Sequence, residues 1–249
     1  MKKLRTSKYI VLGYILLWQA AFFPTATYAE DEEYTAIVEK KYPGQHKLTY
    51  YYTELSSRLN QPAKAVVGDK VFIVDPGVRP PLVNGVFLLE HSEVNKGEDV
   101  LDIGTGTGLH AIFAAENANH IVATDIDPRS IENAKKNAEL NGVSNKIDFR
   151  VGDLLAPLKD DEKFDVIYFN IAYHFYENLP QPWELHERLF ANIRKHMKPN
   201  ARLYYQAGFI KYIPYVQDMV SRNGLYIMRM DMQRLTFYGY EPITMLIQE

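Results

Sequence analysis

Three glycines at alternate positions, Gly104, Gly106 and Gly108, follow the apolar residues Val100, Leu101 and Ile103 and the acid Asp102. About twenty positions further on, at the spacing of nucleotide-binding α/β units, the segment His-Ile-Val-Ala-Thr-Asp-Ile-Asp-Pro carries Asp125 and Asp127. Glycines in such a loop let the backbone come close to a ligand, and a carboxylate at the next strand tip accepts from two vicinal hydroxyls. The spacing restricts the ligand. A dinucleotide fingerprint places its third glycine at 109, where this chain has Leu109, and no Gly-Lys-Ser/Thr follows to grip a phosphate. A third option is a ligand with ribose and adenine but no pyrophosphate; the other readings are a plain glycine turn of an α/β domain or a dinucleotide site with an unusual loop. Asp125 is expected to take the ribose, because the Asp127-Pro128 junction reads as the cap and first position of a helix.

Further polar residues stand at strand ends. Asp153 closes a third apolar strand, where it serves either the ligand or the turn. Asn170 closes a fourth and is followed by Ile171, Ala172, Tyr173 and His174. Asn170 either holds a substrate or turns the chain; His174 is either a base or a hydrogen-bonded wall residue. No His-Glu-x-x-His spacing and no cysteine occur, so no metal is expected.

The elements that position these residues alternate as a parallel sheet with crossover helices requires. Strands are expected at 99–103, 120–125, 146–153, 164–170 and 202–208. Helices are expected at 82–94, 108–118, from Pro128 to the Asn141-Gly142 stop, at 182–197 and from Ile213 to Gly224. The tail reads as two strands joined at Tyr238-Gly239-Tyr240. Ahead of these, 64–75 reads as a hairpin turning at Gly68-Asp69, and 30–60 as a helix or two broken at Pro43-Gly44.

Asp-x-Gly-x-Gly-x-Gly with the later Asp125 resembles the class I S-adenosylmethionine-dependent methyltransferases, over roughly residues 75–249. The resemblance implies an α/β, Rossmann-like fold: a mostly parallel seven-stranded sheet, an antiparallel C-terminal strand, helices on both faces. It implies S-adenosylmethionine as cofactor. Gly104, Gly106 and Gly108 would line its methionine part. Asp102 would orient the methionine amino group, unless it only caps the loop. Asp125 would hold the ribose and Asp153 the adenine amino group. In members that methylate amide or amine nitrogen, the end of the fourth strand holds Asn-Pro-Pro-Tyr, whose Asn and following carbonyl grip the acceptor nitrogen. This chain keeps Asn170 and Tyr173 and replaces both prolines by Ile171 and Ala172. The motifs are most similar to the glutamine-amide and ribosomal-protein methyltransferase branch, which makes a protein or peptide nitrogen the leading acceptor. The alternatives are a small-molecule or oxygen acceptor, or a non-catalytic domain that has kept the fold.

Composition fits one well-cored domain with additions: 249 residues, 47% hydrophobic, net charge −3. Residues 1–29 carry Lys2, Lys3, Arg5 and Lys8, then an apolar stretch 9–23, then Pro24 and small residues up to Ala29. That layout reads as a secretory signal peptide cut after Ala29, or as an uncleaved membrane anchor. Either places the folded part outside the cytoplasm. The residues beyond 29 hold 24 basic against 31 acidic side chains and no long basic stretch, which argues against nucleic acid as a partner. The expected organisation is a signal or anchor at 1–29, an extension of helix plus hairpin at 30–75, and the methyltransferase domain at 76–249.

Overall fold

Alternate residues of the central strands face two separate apolar layers, and that alternation sets out the site. The structure is a computed structural model that describes residues 50–53, 62–81, 83–171, 183–207, 210–232 and 243–249. Its main sheet has the order β6-β5-β4-β7-β8-β10-β9. The strands are β4 (Asp99–Ile103), β5 (His120–Asp125), β6 (Ile147–Val151), β7 (Phe164–Phe169), β8 (Met197–Ala207), β9 (Tyr226–Met232) and β10 (Ile243–Gln248). β4 to β8 pair in parallel, and β10 lies antiparallel to both β8 and β9. This is the seven-stranded, mostly parallel α/β sheet expected from the sequence.

The strand order reverses between β4 and β7. Chain growth moves from β4 outward through β5 and β6, then returns to the other side of β4 with β7 and β8. Ligands of open α/β sheets bind beyond the carboxyl ends of strands at such a reversal. Here that places Gly104, after β4, beside Asn170, after β7, because Ile103 and Phe169 are register partners.

Helices α1 (Val83–Glu90), α2 (Leu109–Ala114) and α3 (Pro128–Leu140) cover one face. Val100, Tyr168 and Tyr204 point into this layer with Val86, Leu88, Ile112 and Ala138. Helices α4 (Glu184–Asn192) and α5 (Ile213–Arg222) cover the other, where Leu101, Ile103, Ile167 and Phe169 meet Leu189, Phe190 and Val216. The period-two alternation of a strand buried on both faces gives this split.

A second, three-stranded antiparallel sheet precedes the main one: β1 (Tyr50–Thr53), β2 (Ala63–Val67) and β3 (Lys70–Val74). The hairpin turns at Gly68-Asp69, with Gly68 at φ 57°. Ala65, Val67, Phe72 and Val74 bury in the same core as α1 to α3.

Several element expectations need correction. The helices expected at 82–94 and 108–118 are shorter, ending at Glu90 and Ala114. Residues 50–53 form a strand, not part of a helix; a Tyr-Tyr-Tyr-Thr run of aromatic and β-branched residues suits a pleated surface. The helix expected over 182–197 ends at Asn192, runs on as a tight turn from Ile193 to His196, and gives way to β8 at Met197. Lys198-Pro199-Asn200 therefore lies inside a strand, at an irregularity between the Phe164–Met197 and Val166–Arg202 pairs, with Asn200 at φ 64°. A bulge tolerates a proline that a regular ladder does not. The 1–29 segment, the Pro43-Gly44 break, Tyr173, His174 and Tyr238-Gly239-Tyr240 lie outside the described residues.

Candidate cofactor and acceptor site

The loop after β4 is built from its own hydrogen bonds. Gly104 and Thr105 donate their N–H groups to the Thr124 carbonyl of β5 at 2.8 and 2.9 Å. Gly106 donates to Asp125 Oδ2 at 3.0 Å, and Gly108 to the Thr105 carbonyl at 2.8 Å. All three glycines have positive φ, 72°, 55° and 88°, a region costly for residues with a Cβ.

Their surroundings give each glycine a different reason. A Cβ on Gly104 would come 2.7 Å from Ile171 Cδ1 and Cγ1, so that position is covered by the segment after β7. One on Gly108 would press on Ala134 of α3 and on Ile112, the close helix approach that a third glycine permits. One on Gly106 would meet only the Arg79 carbonyl, at 3.9 Å. Gly106 is thus the loop position with open space in front of its backbone.

Asp102 lies beneath the loop, 1% exposed. Its Oδ2 accepts from the Thr105 hydroxyl at 2.7 Å and the Ala111 N–H at 3.3 Å, and His110 Nδ1 is 3.7 Å from Oδ1. The other His110 ring nitrogen lies 3.2 Å from the Gly85 carbonyl. These are the bonds of a loop cap, tying β4, the glycine loop and α1 together.

Asp125 ends β5 with Oδ1 accepting from Asp127 N–H at 2.9 Å and Oδ2 accepting from Gly106 N–H at 3.0 Å. Each oxygen keeps acceptor capacity for one more donor. Burial holds the carboxyl above its ordinary pKa. The two N–H bonds oppose that rise, and the nearby charges of Asp102 and Asp127 add to it. Asp127 is the cap of α3: it accepts from Arg129 N–H at 2.9 Å and forms an ion pair with the Arg129 guanidinium. Between them Ile126 stands 62% exposed. An apolar side chain held in solvent between two carboxylates offers a face to a flat ring. The sequence signal for it is an isoleucine between two strand-end acids.

Asp153 is paired with Arg188 of α4, at 2.6 Å to Oδ2 and 3.3 Å to Oδ1. Its carboxylate is therefore already engaged on one side, by a partner that no local pattern announced. Asn170 sits against α1: a Cβ on Gly85 would come 3.1 Å from Asn170 Nδ2 and 3.0 Å from Leu109 Cδ2. The helix carries glycine where the Asn170 amide needs room.

The residues fit the cofactor expected. Asp125 retains acceptor capacity on both oxygens, Gly106 leaves its backbone open, and Ile126 presents an apolar face next to them. Asp125 would hold the ribose hydroxyls, Gly106 the approach of the methionine part, Ile126 and Asp153 the adenine.

Residues 94–213 match the family model described as a methyltransferase domain. A ribosomal protein L11 methyltransferase of Lactobacillus johnsonii is 29% identical over 155 residues, 62% of this chain and 45% of that protein. A protein of Methanocaldococcus jannaschii, named as a protein N5-glutamine methyltransferase, is 42% identical over 99 residues, 39% of this chain and 48% of that one. Among solved structures, the ribosomal protein L11 methylase of Lactobacillus delbrueckii subsp. bulgaricus has a TM-score of 0.54 at 26% identity, covering 66% of this chain and 75% of that one. The chain spans about half the length of the curated relatives it matches. Fold, glycine loop and family model together support a class I S-adenosylmethionine-dependent methyltransferase domain. Within that class, the similarity lies with the ribosomal-protein and glutamine methyltransferase branch. The alternative of a fold kept without catalysis finds no support in these relatives.

Proposed function

We propose that this chain transfers a methyl group to a nitrogen of a protein or peptide. The observation that carries the reading is the placement of Asn170 at the strand-order reversal, one residue beyond the Phe169–Ile103 register pair and thus beside the start of the glycine loop. When bound, S-adenosylmethionine supplies an electrophilic methyl on a sulfonium. The protein's task is to hold a nucleophile in line with it. Asn170 Oδ1 and the Ile171 carbonyl accept hydrogen bonds from the two N–H groups of a planar nitrogen, which orients it and enriches it in electron density. Orientation of this kind contributes up to about 7–11 kcal/mol in favourable cases. In the resemblance an aromatic residue at the position of Tyr173 faces the acceptor plane; Tyr173 lies outside the described residues. Support for a protein acceptor comes from the relatives named for ribosomal protein L11 and for protein glutamine.

The test is methyl incorporation from labelled S-adenosylmethionine into glutamine-containing peptides, ribosomal proteins and a panel of small amines and phenols. The reading expects label on protein nitrogen and at least a 100-fold lower kcat/KM in Asn170→Ala. Label on a small oxygen acceptor alone would overturn the acceptor assignment.

A further inference from the structure

β3 has one edge paired to β2, and its other edge is closed by the side chains of α3. Asn133, Asn137 and Asn141 recur every fourth residue, two on the helix and the last as its C-cap. Asn141 Oδ1 accepts from Val71 N–H at 3.2 Å, and its Nδ2 donates to the Val71 carbonyl at 2.7 Å. Asn137 Oδ1 accepts from Ile73 N–H at 2.8 Å, and Nδ2 donates to the Ile73 carbonyl at 2.9 Å. Asn133 donates to the same carbonyl at 2.9 Å and accepts from Asp75 N–H at 3.4 Å. Lys136 Nζ is 2.6 Å from Asp75 Oδ2.

The register is a matter of two periods. Two residues of a strand advance about 6.8 Å, and four residues of a helix about 6 Å. A carboxamide has the donor and acceptor of a peptide group, so each asparagine substitutes for one residue pair of a neighbouring strand. An open strand edge, with its row of unpaired N–H and C=O groups, is thereby closed.

Asn137 does more than its two neighbours. It is fully buried, and its Nδ2 also donates to the Thr107 carbonyl at 2.9 Å. The peptide between Thr107 and Gly108 is then held at both ends, its carbonyl by Asn137 and its N–H by the Thr105 carbonyl. That peptide lies next to Gly106, the open position of the loop. The chain leaving β3 reaches the same place, with the Arg79 carbonyl in front of Gly106 and the Arg129 guanidinium against Gly77.

We propose that Asn137 is a positioning residue for the cofactor loop, and that through it the small N-terminal sheet is a working part of the cofactor site. The inference rests on the cofactor reading given above. It deepens that reading by assigning the cofactor affinity partly to a sheet outside the family-model match.

The experiment compares Asn137→Ala with Asn141→Ala in the full chain. Both lose bonds to β3; only the first loses the loop. Amide hydrogen exchange at Gly106 and Gly108 is measured without ligand, and the S-adenosylmethionine Kd by calorimetry. Asn137→Ala is expected to speed exchange at both glycines and to weaken binding at least tenfold, while Asn141→Ala stays within twofold on both readouts. Equal effects of the two variants, or none from Asn137→Ala, would overturn the proposal. If Asn137→Ala does not fold, Asn137→Ser carries the same expectation. A wild type that binds no S-adenosylmethionine defeats the cofactor reading, and the exchange comparison then still decides the role of Asn137 in the loop.

Discussion

Two side-chain carbons of Ile171, Cδ1 and Cγ1, lie only 2.7 Å from the point where a Gly104 Cβ would stand. The segment after β7 therefore rests on the loop after β4. In the resemblance, a proline follows the strand-end Asn and stiffens the turn that aims the next carbonyl. Here packing against Gly104 supplies part of that stiffness. Gly104→Ala adds left-handed strain of about 1–2 kcal/mol to overpacking of about 1–3 kcal/mol. Combined with Ile171→Ala, only the strain should remain, giving a coupling of about 1 kcal/mol or more in a double-mutant cycle. Additive denaturation midpoints would show that the two residues do not meet. Ile171→Ala alone should lower kcat and leave the S-adenosylmethionine Kd within twofold.

Gly85 separates two expectations that usually travel together. Alanine in a helix interior is favoured over glycine by about 0.8–1.0 kcal/mol. At Gly85 the new methyl meets Asn170 Nδ2 and Leu109 Cδ2. Gly85→Ala should therefore change thermal stability little and reduce kcat at least fivefold by displacing the Asn170 amide. Unchanged turnover in a stabilised variant would mean that the position of Asn170 is not critical.

Asp125 carries a pH dependence with a definite sign. Its carboxyl titrates above its ordinary value because it is buried, with two neighbouring carboxylates adding to the effect. In the proposed cofactor role the anion would accept from both ribose hydroxyls, which the protonated group would not. Cofactor affinity should be full above the raised pKa and fall as pH drops through it, starting at higher pH than for an exposed carboxylate, whose reference value is about 3.9. Calorimetric titrations across mildly acidic pH check this, and Asp125→Asn should flatten the profile at the weak level.

Glu162 governs acid stability rather than ligand binding. The Arg150 guanidinium, at 2.7 Å from both of its oxygens, brings its carboxyl from 4.5 down to about 2. A depressed folded-state pKa means that the contribution is complete above about 4.5 and is lost as pH falls toward 2. Glu162→Gln should unfold more easily than wild type at neutral pH, with the two melting curves converging near pH 2. Parallel curves at all pH values would remove Arg150–Glu162 from the account.

The parts legible in the sequence are those set by short-range pattern. Short continuous apolar runs mark β4, β5 and β7, and the Asp127-Pro128 pair marks the start of α3 to the residue. The glycine loop with Asp125 led to the family. Long-range partners left no local mark. Arg188 reaches Asp153 across 35 positions, and Ile171 meets Gly104 only because β4 and β7 are neighbours. The asparagines of α3 did leave a signal, a poor helix former repeated every fourth residue, but its meaning required β3 beside it. β1 is hard to read in the sequence because the charge of the surrounding segment outweighs its four aromatic and β-branched residues.

The most direct measurement is a titration of the full chain with S-adenosylmethionine, wild type beside Asp125→Ala. The account predicts binding by the wild type and at least 100-fold weaker binding by the variant, about 2.7 kcal/mol, within the range for hydrogen bonds to a charged acceptor. A well-folded wild type that takes up no S-adenosylmethionine, or a variant that binds as tightly, would contradict it.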